Sequence, residues 1–261
     1  MEKKSPEPPE EASQSRDSSR DNQTWITAQN ILREKLITED CFAWKLQAGS
    51  KEEEALRYVG GVDISFSKDD PSRACGTLVV LDFHTLQVLY QDFSLVTLQV
   101  PYVPGFLAFR EAPVLLQLLE KMKRSNNPFY PQVLGWPVIL ELRPISQQLG
   151  LERITRNTEY LHHVDGLTHS RVRELLGAEE NCSEDFINLV GCSGHIWGVA
   201  MRSTQGSIKP IFISIGHKIS LQTAIMIVQM TCKYRVPEPI RQADIRSRDY
   251  IRKLEANAKV K

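Results

Sequence analysis

The heptapeptide GGVDISF, residues 60–66, decides how the chain folds. Val62, Ile64 and Phe66 alternate with Asp63 and Ser65, so a strand here puts its apolar side chains on one face and the polar pair on the other. Strand character begins at Tyr58. Residues 74–83 and 86–96 are rich in β-branched and aromatic side chains, and His84-Thr85 between them reads as a hairpin turn. Next comes PYVPGFLAFREAP, residues 101–113. Pro101, Pro104 and Gly105 fix a stiff turn with Tyr102 and Val103 at its tip. Pro113 suits the first turn of a helix, where its missing N–H costs nothing. Val114, Leu115, Leu118, Leu119 and Met122 recur at helical spacing, and the pattern fades over 123–128. Glu111 is thereby expected at a helix N-terminus. Three strands followed by a helix make, by periodicity alone, an α/β or α+β domain.

Residues 1–24 carry few large apolar side chains and much Ser, Pro and Glu, a composition that cannot offset chain entropy; they are expected to form a disordered tail. Trp25, Ile26, Ile31, Leu32, Leu36 and Ile37 have roughly helical spacing, which predicts a helix within 25–46 on the outside of the domain. Further on, 195–202 and 211–215 read as strands. Residues 220–234 read as a helix with Leu221, Ile225, Val228 and Cys232 on one face. Pro237 and Pro239 then start a basic helix over 240–254, which leaves 256–261 as a tail.

A chain of 261 residues with 41% hydrophobic content suffices for one sizeable domain and is short for two. The 32 basic and 32 acidic residues balance, so net charge gives no sign of a nucleic-acid partner. Distribution says more, because residues 232–261 hold nine Lys/Arg against four Asp/Glu. That excess suits a phosphate backbone, and equally a solvated terminal helix. Five scattered cysteines without a C-x-x-C pair suggest neither a disulfide framework nor a zinc site, which points to a reducing compartment. No apolar run approaches membrane-spanning length and the N-terminus is charged rather than signal-like, so no membrane partner is expected.

GGVDISF and PYVPGFLAFREAP, taken with PIFISIGHKISL (210–221) and RVPEPIRQADIRSR (235–248), resemble the endonuclease V family, most closely its animal members. The resemblance covers roughly 58–132 and 164–253, and places residues 25–255 in one endonuclease V-like domain. It implies an α/β, ribonuclease H-like fold, a mixed sheet flanked by helices. It also implies a Mg²⁺-dependent endonuclease, with Mn²⁺ as a substitute, that cuts 3′ to inosine in single-stranded RNA or DNA. The cytoplasm and nucleus, the nucleolus included, are the expected locations.

Hydrolysis of a phosphodiester needs a cation to neutralise developing charge and to make hydroxide available near neutral pH. Magnesium takes oxygen ligands, usually one or two carboxylates with water and substrate phosphate. By the resemblance Asp63 is a metal ligand; on its own it reads as an exposed strand aspartate. Glu111 matches the family's second acid, which supports the metal and the attacking water, and otherwise complements a helix dipole. Asp244 matches a further acid from the terminal helix, or else pairs within the helix with Arg241 or Arg248. His217 would contact the scissile phosphate or shuttle a proton, or else serve as a capping or core residue. Tyr102 resembles the aromatic wedge that fills the space of a flipped base, and Pro101 and Gly105 hold its loop stiff. Arg246 and Arg248 are candidate phosphate contacts.

Between the two blocks the resemblance stops. Over 134–163 the family has a central strand ending in Asp-Gly-Asn-Gly, a helix, and a strand ending in a lysine. This chain has no aspartate between Asp92 and Asp165 and no lysine between Lys123 and Lys209. Pro137 stands where the metal-binding aspartate belongs, and Glu141 is the one local substitute. The sequence therefore admits three outcomes: a nuclease, an inactive binder of inosine-bearing strands, or a variant that folds poorly.

Overall fold

The computed structural model describes residues 23–28, 30–31, 34–46, 55–98, 107–135, 169–177, 186–190, 194–204, 207 and 209–259. Tyr102, Pro101 and Gly105, the Pro137 and Glu141 region, and the tail before residue 23 lie outside them.

Strands β1 (Tyr58–Phe66), β2 (Arg73–Asp82) and β3 (Val88–Thr97) form an antiparallel meander. Strand β4 (Val133–Gly135) adds parallel to β1, giving a mixed sheet of order β3-β2-β1-β4. β2 is apolar and buried almost throughout because helices cover both faces of the sheet. On one face, helix α1 (Leu107–Arg124) sets Ala112, Leu115, Leu118 and Met122 against Val62, Leu78 and Val80. Gly76 lets that helix close in, since a Cβ there would sit 2.6 Å from Val114. On the other face, Val59, Val79 and Leu81 meet Ala243 and Ile227. A Cβ at Gly61 would overlap the Pro239 carbonyl, so β1 needs glycine at the point where the terminal helix crosses it.

The remaining elements are α2 (His169–Gly177), β5 (Phe186–Val190), β6 (Ile196–Met201), β7 (Ile211–Ser214), α3 (Leu221–Thr231) and α4 (Glu238–Lys259). The three strands form an antiparallel sheet of order β5-β6-β7. Val172 and Leu176 of α2 pack on Leu189, Ala200 and Phe212. Ile225 of α3 packs on Val199, Met201, Ile211 and Ile213 of the same sheet. α3 is capped by Ser220, whose hydroxyl accepts the Thr223 N–H, and Leu221, Val228 and Cys232 lie toward the sheet as their spacing predicts.

Four expectations need correction. α1 begins at Leu107, so Pro113 lies inside it and Glu111 is one turn in rather than at the N-terminus. Burial of Ala112, Leu115 and Leu118 outweighs the one backbone bond that Pro113 cannot make. α4 starts at Glu238, with Pro239 in its first turn, and residues 256–259 continue it instead of forming a tail. Helix occupies 23–28 and includes Ile31, but residues 36–46 are not helical. Backbone bonds to Lys218 draw that segment onto the loop before α3. Among the described residues, α2 and β5 were not anticipated from the sequence. No described helix is long and apolar enough to cross a membrane.

Candidate active site

Strand alternation sends Asp63 and Ser65 to the face that α4 covers, opposite Val62. On α4 the buried positions Ile240, Ala243, Ser247 and Ile251 recur at helical spacing. Ser247 is therefore a hydroxyl in the middle of an apolar stripe, fully buried. Its Oγ lies 2.9 Å from Asp63 Oδ2 and 2.6 Å from Ser65 Oγ. A hydroxyl has one proton to donate, so the arrangement satisfies all three groups when Ser65 donates to Ser247 and Ser247 donates to Asp63. Asp63 Oδ2 is thus held by the Ser247 hydroxyl, which Ser65 holds in turn.

Burial pushes the Asp63 carboxyl up to about 6; the Ser247 hydrogen bond opposes that rise, the Asp244 charge adds to it, and Arg248 opposes it. Asp244 is one turn before Arg248 on α4 and forms a 2.6 Å ion pair with it. The intrahelical pair is therefore present, and the Asp244 charge acts on Asp63 across the α4–β1 contact. Two carboxylates against a buried wall, with hydroxyls behind one of them, form a hard-oxygen donor set that suits Mg²⁺ completed by water and phosphate. Among the described residues, no three His, Cys, Asp or Glu side chains converge on one point.

The other predicted residues are placed as follows. Glu111 is buried at 8% exposure on α1, which packs on the opposite face of the sheet from α4. Arg110 beside it lays its guanidinium 4.7 Å from the Phe66 ring at the end of β1. His217 lies in the loop between β7 and α3, where its Nδ1 accepts the Ile37 backbone N–H at 3.5 Å. Burial, with the Lys218 charge second, lowers its pKa. Arg246 reaches across to β3 and donates to Gln91 at 2.5 Å, while Tyr250 stacks on Phe93 with centroids 4.6 Å apart. Arg252 pairs with Asp249 at 3.2 Å. The structure thus brings together Asp63, Asp244 and Arg248. Ser247 is the residue that sequence reasoning missed. Its signal is a polar residue at an apolar-stripe position three residues after Asp244.

The family model for endonuclease V matches residues 40–134 and 165–245. This chain belongs to the endonuclease V family. Mouse endonuclease V is 38% identical over 236 residues, covering 88% of this chain and 69% of the mouse protein. Human endonuclease V is 37% identical over 240 residues, covering 88% and 83%. A crystal structure of the human enzyme superposes with a TM-score of 0.72 at 36% identity, covering 89% of this chain and 99% of that one. Endonuclease V of Ciona intestinalis, solved with a 24mer DNA containing an inosine followed by a ribo-adenosine, gives 0.74 at 27% identity over 90% and 99%. Asp63, Glu111, Ser247's helix neighbour Asp244, and His217 all fall within the matched blocks. The match breaks off after residue 134 and resumes at 165, which brackets the stretch where the sequence departs from the family.

Proposed function

We propose that this endonuclease V homologue hydrolyses phosphodiesters 3′ to inosine in single-stranded RNA or DNA, and does so slowly. The observation that carries the reading is the half-buried Asp63 carboxylate, hydrogen-bonded to Ser247 and raised to about 6 with the Asp244 charge acting on it. A carboxylate partly withdrawn from water near another one is destabilised as an anion, and a bound cation relieves that destabilisation. Asp63 and Asp244 would hold Mg²⁺, or Mn²⁺ in its place. Bound there, the ion supplies Lewis-acid polarisation of a phosphoryl oxygen and a lowered pKa for its water.

The remaining roles belong to the chain itself. Ser247, itself held by Ser65, fixes the orientation of Asp63 through Oδ2. Glu111, whose helix packs on the other face of the sheet, would support the attacking water by the family resemblance alone. His217, whose Nδ1 accepts the Ile37 N–H, would donate from Nε2 toward the scissile phosphate or the leaving oxygen. Arg246 and Arg248 track the strand, and Tyr102 stacks in the space of the flipped inosine. Slowness follows from the sequence between the matched blocks, which supplies neither the aspartate nor the lysine of the family pattern. The test is Mg²⁺-dependent nicking of an inosine-containing RNA by the parent chain and by Asp63→Asn and Asp244→Asn. Loss of cutting in both variants is expected. Cutting that persists in either one removes that carboxylate from the site. The same missing aspartate favours a second reading, a binder of inosine-bearing strands without hydrolysis. Binding with no Mg²⁺-dependent product in the parent would favour it.

A further inference from the structure

The chain between residues 36 and 41 is bound to the His217 loop and the start of α3 by five hydrogen bonds between residues some 180 positions apart in sequence. The Lys218 N–H donates to the Ile37 carbonyl at 2.7 Å, and the Cys41 N–H donates to the Lys218 carbonyl at 3.1 Å. The Asp40 carboxylate accepts the Ser220 N–H at 2.6 Å and the Thr223 hydroxyl at 2.7 Å. It thereby supplements the Ser220 cap of α3 from outside the helix. The fifth bond is the Ile37 N–H donated to His217 Nδ1 at 3.5 Å.

These contacts converge on a strained turn. Lys218 has φ 60, a conformation that costs a non-glycine residue and persists only where its surroundings determine it. Both its N–H and its carbonyl are held by residues 37 and 41. A neutral imidazole that accepts at Nδ1 carries its proton on Nε2. The same segment that holds the turn therefore selects which ring nitrogen of His217 is the donor.

We propose that residues 36–41 are a strap that sets the tautomer and orientation of His217, with Asp40 as its anchoring, positioning residue. Its catalytic consequence rests on the reading of His217 as part of the nuclease site; the strap itself does not. Histidine nitrogen NMR on the full chain at pH 7.5 tests it. The parent is expected to show His217 as a single Nε2–H tautomer. Asp40→Ala should convert that signal to an averaged mixture of tautomers, while Asp40→Asn, which keeps an acceptor for Ser220, should preserve most of it. Thr223→Val, which removes one of the two Asp40 anchors at nearly constant shape, should shift the signal in the same direction by less. Single-turnover cleavage by Asp40→Ala is expected to fall about tenfold with strand affinity unchanged. An unchanged His217 signal in both Asp40→Ala and Thr223→Val overturns the strap. A His217→Ala protein that cuts at the parent rate overturns instead the nuclease role of His217, and the spectrum still decides the strap.

Discussion

Replacing Asp63 with asparagine should make the protein more stable while removing its activity. The carboxyl is raised from 3.8 to about 6, with burial as the largest cause. A group whose folded pKa lies above its unfolded value binds its proton more tightly in the folded state. Its destabilisation is therefore absent below about pH 4, grows between 4 and 6, and is full above 6. About two pKa units correspond to about 3 kcal/mol. The asparagine side chain keeps the shape and still accepts from Ser247, so most of that amount should be recovered, about 2 kcal/mol at pH 7.5. For a chain of this size that is a rise in Tm of about 4–8 °C. Thermal unfolding without divalent cation, at pH 7.5 and again at pH 4, reads the effect directly. The gain should be present at the first pH and lost at the second. Added Mg²⁺ should raise the Tm of the parent and leave Asp63→Asn nearly unmoved, because only the parent binds it in the folded state. Equal or lower stability of the variant at pH 7.5, or the same gain at both pH values, refutes the account of a half-buried carboxylate poised for a cation.

Tyr102→Ala should weaken binding to inosine-bearing strands by about 1–3 kcal/mol, the loss of one base–aromatic stack, in a titration at fixed salt. Changing Arg246, Arg248 and Arg252 together to Gln should lower the slope of log K against log salt by about 2, and an unchanged slope returns α4 to a purely structural role. Gly61→Ala should destabilise by about 1–3 kcal/mol or prevent folding, because its methyl meets the Pro239 carbonyl rather than a yielding side chain; denaturant unfolding checks it. Ser247→Ala should leave the fold intact, raise the Asp63 pKa further by removing the hydrogen bond that opposes burial, and weaken the Mg²⁺-induced rise in Tm.

The sheet was legible because its chemistry is local. Alternation in Val62–Phe66 separates the two faces, and Asp63 emerges on the side opposite Val62 as that alternation requires. The start of α1 was misread because proline preference is a local rule, whereas burial of Ala112 and Leu115 is decided by the sheet beneath them. Ser247 and Asp40 escaped notice for the same reason. Each gains its meaning from a partner some 180 residues away, Asp63 for one and Ser220 for the other. The sequence leaves Asp244 between two roles; the ion pair with Arg248 is present, and the Asp244 charge is felt at Asp63. Residues 134–163 give the opposite lesson: the family match is interrupted there, and no periodicity says what the stretch forms.

The central claim is that Asp63 and Asp244 sustain cleavage, but only slowly, without the aspartate and lysine of the family segment. Single-turnover rates on one inosine-containing RNA at saturating Mg²⁺ test it, with the parent, Asp63→Asn, and a chain whose residues 134–163 are replaced by the family segment. Each missing electrostatic element commonly accounts for ~10²–10³ in rate. The parent should therefore cut at least about 100-fold more slowly than the restored chain, and measurably faster than Asp63→Asn. A parent within tenfold of the restored chain, or one no faster than Asp63→Asn, contradicts the claim.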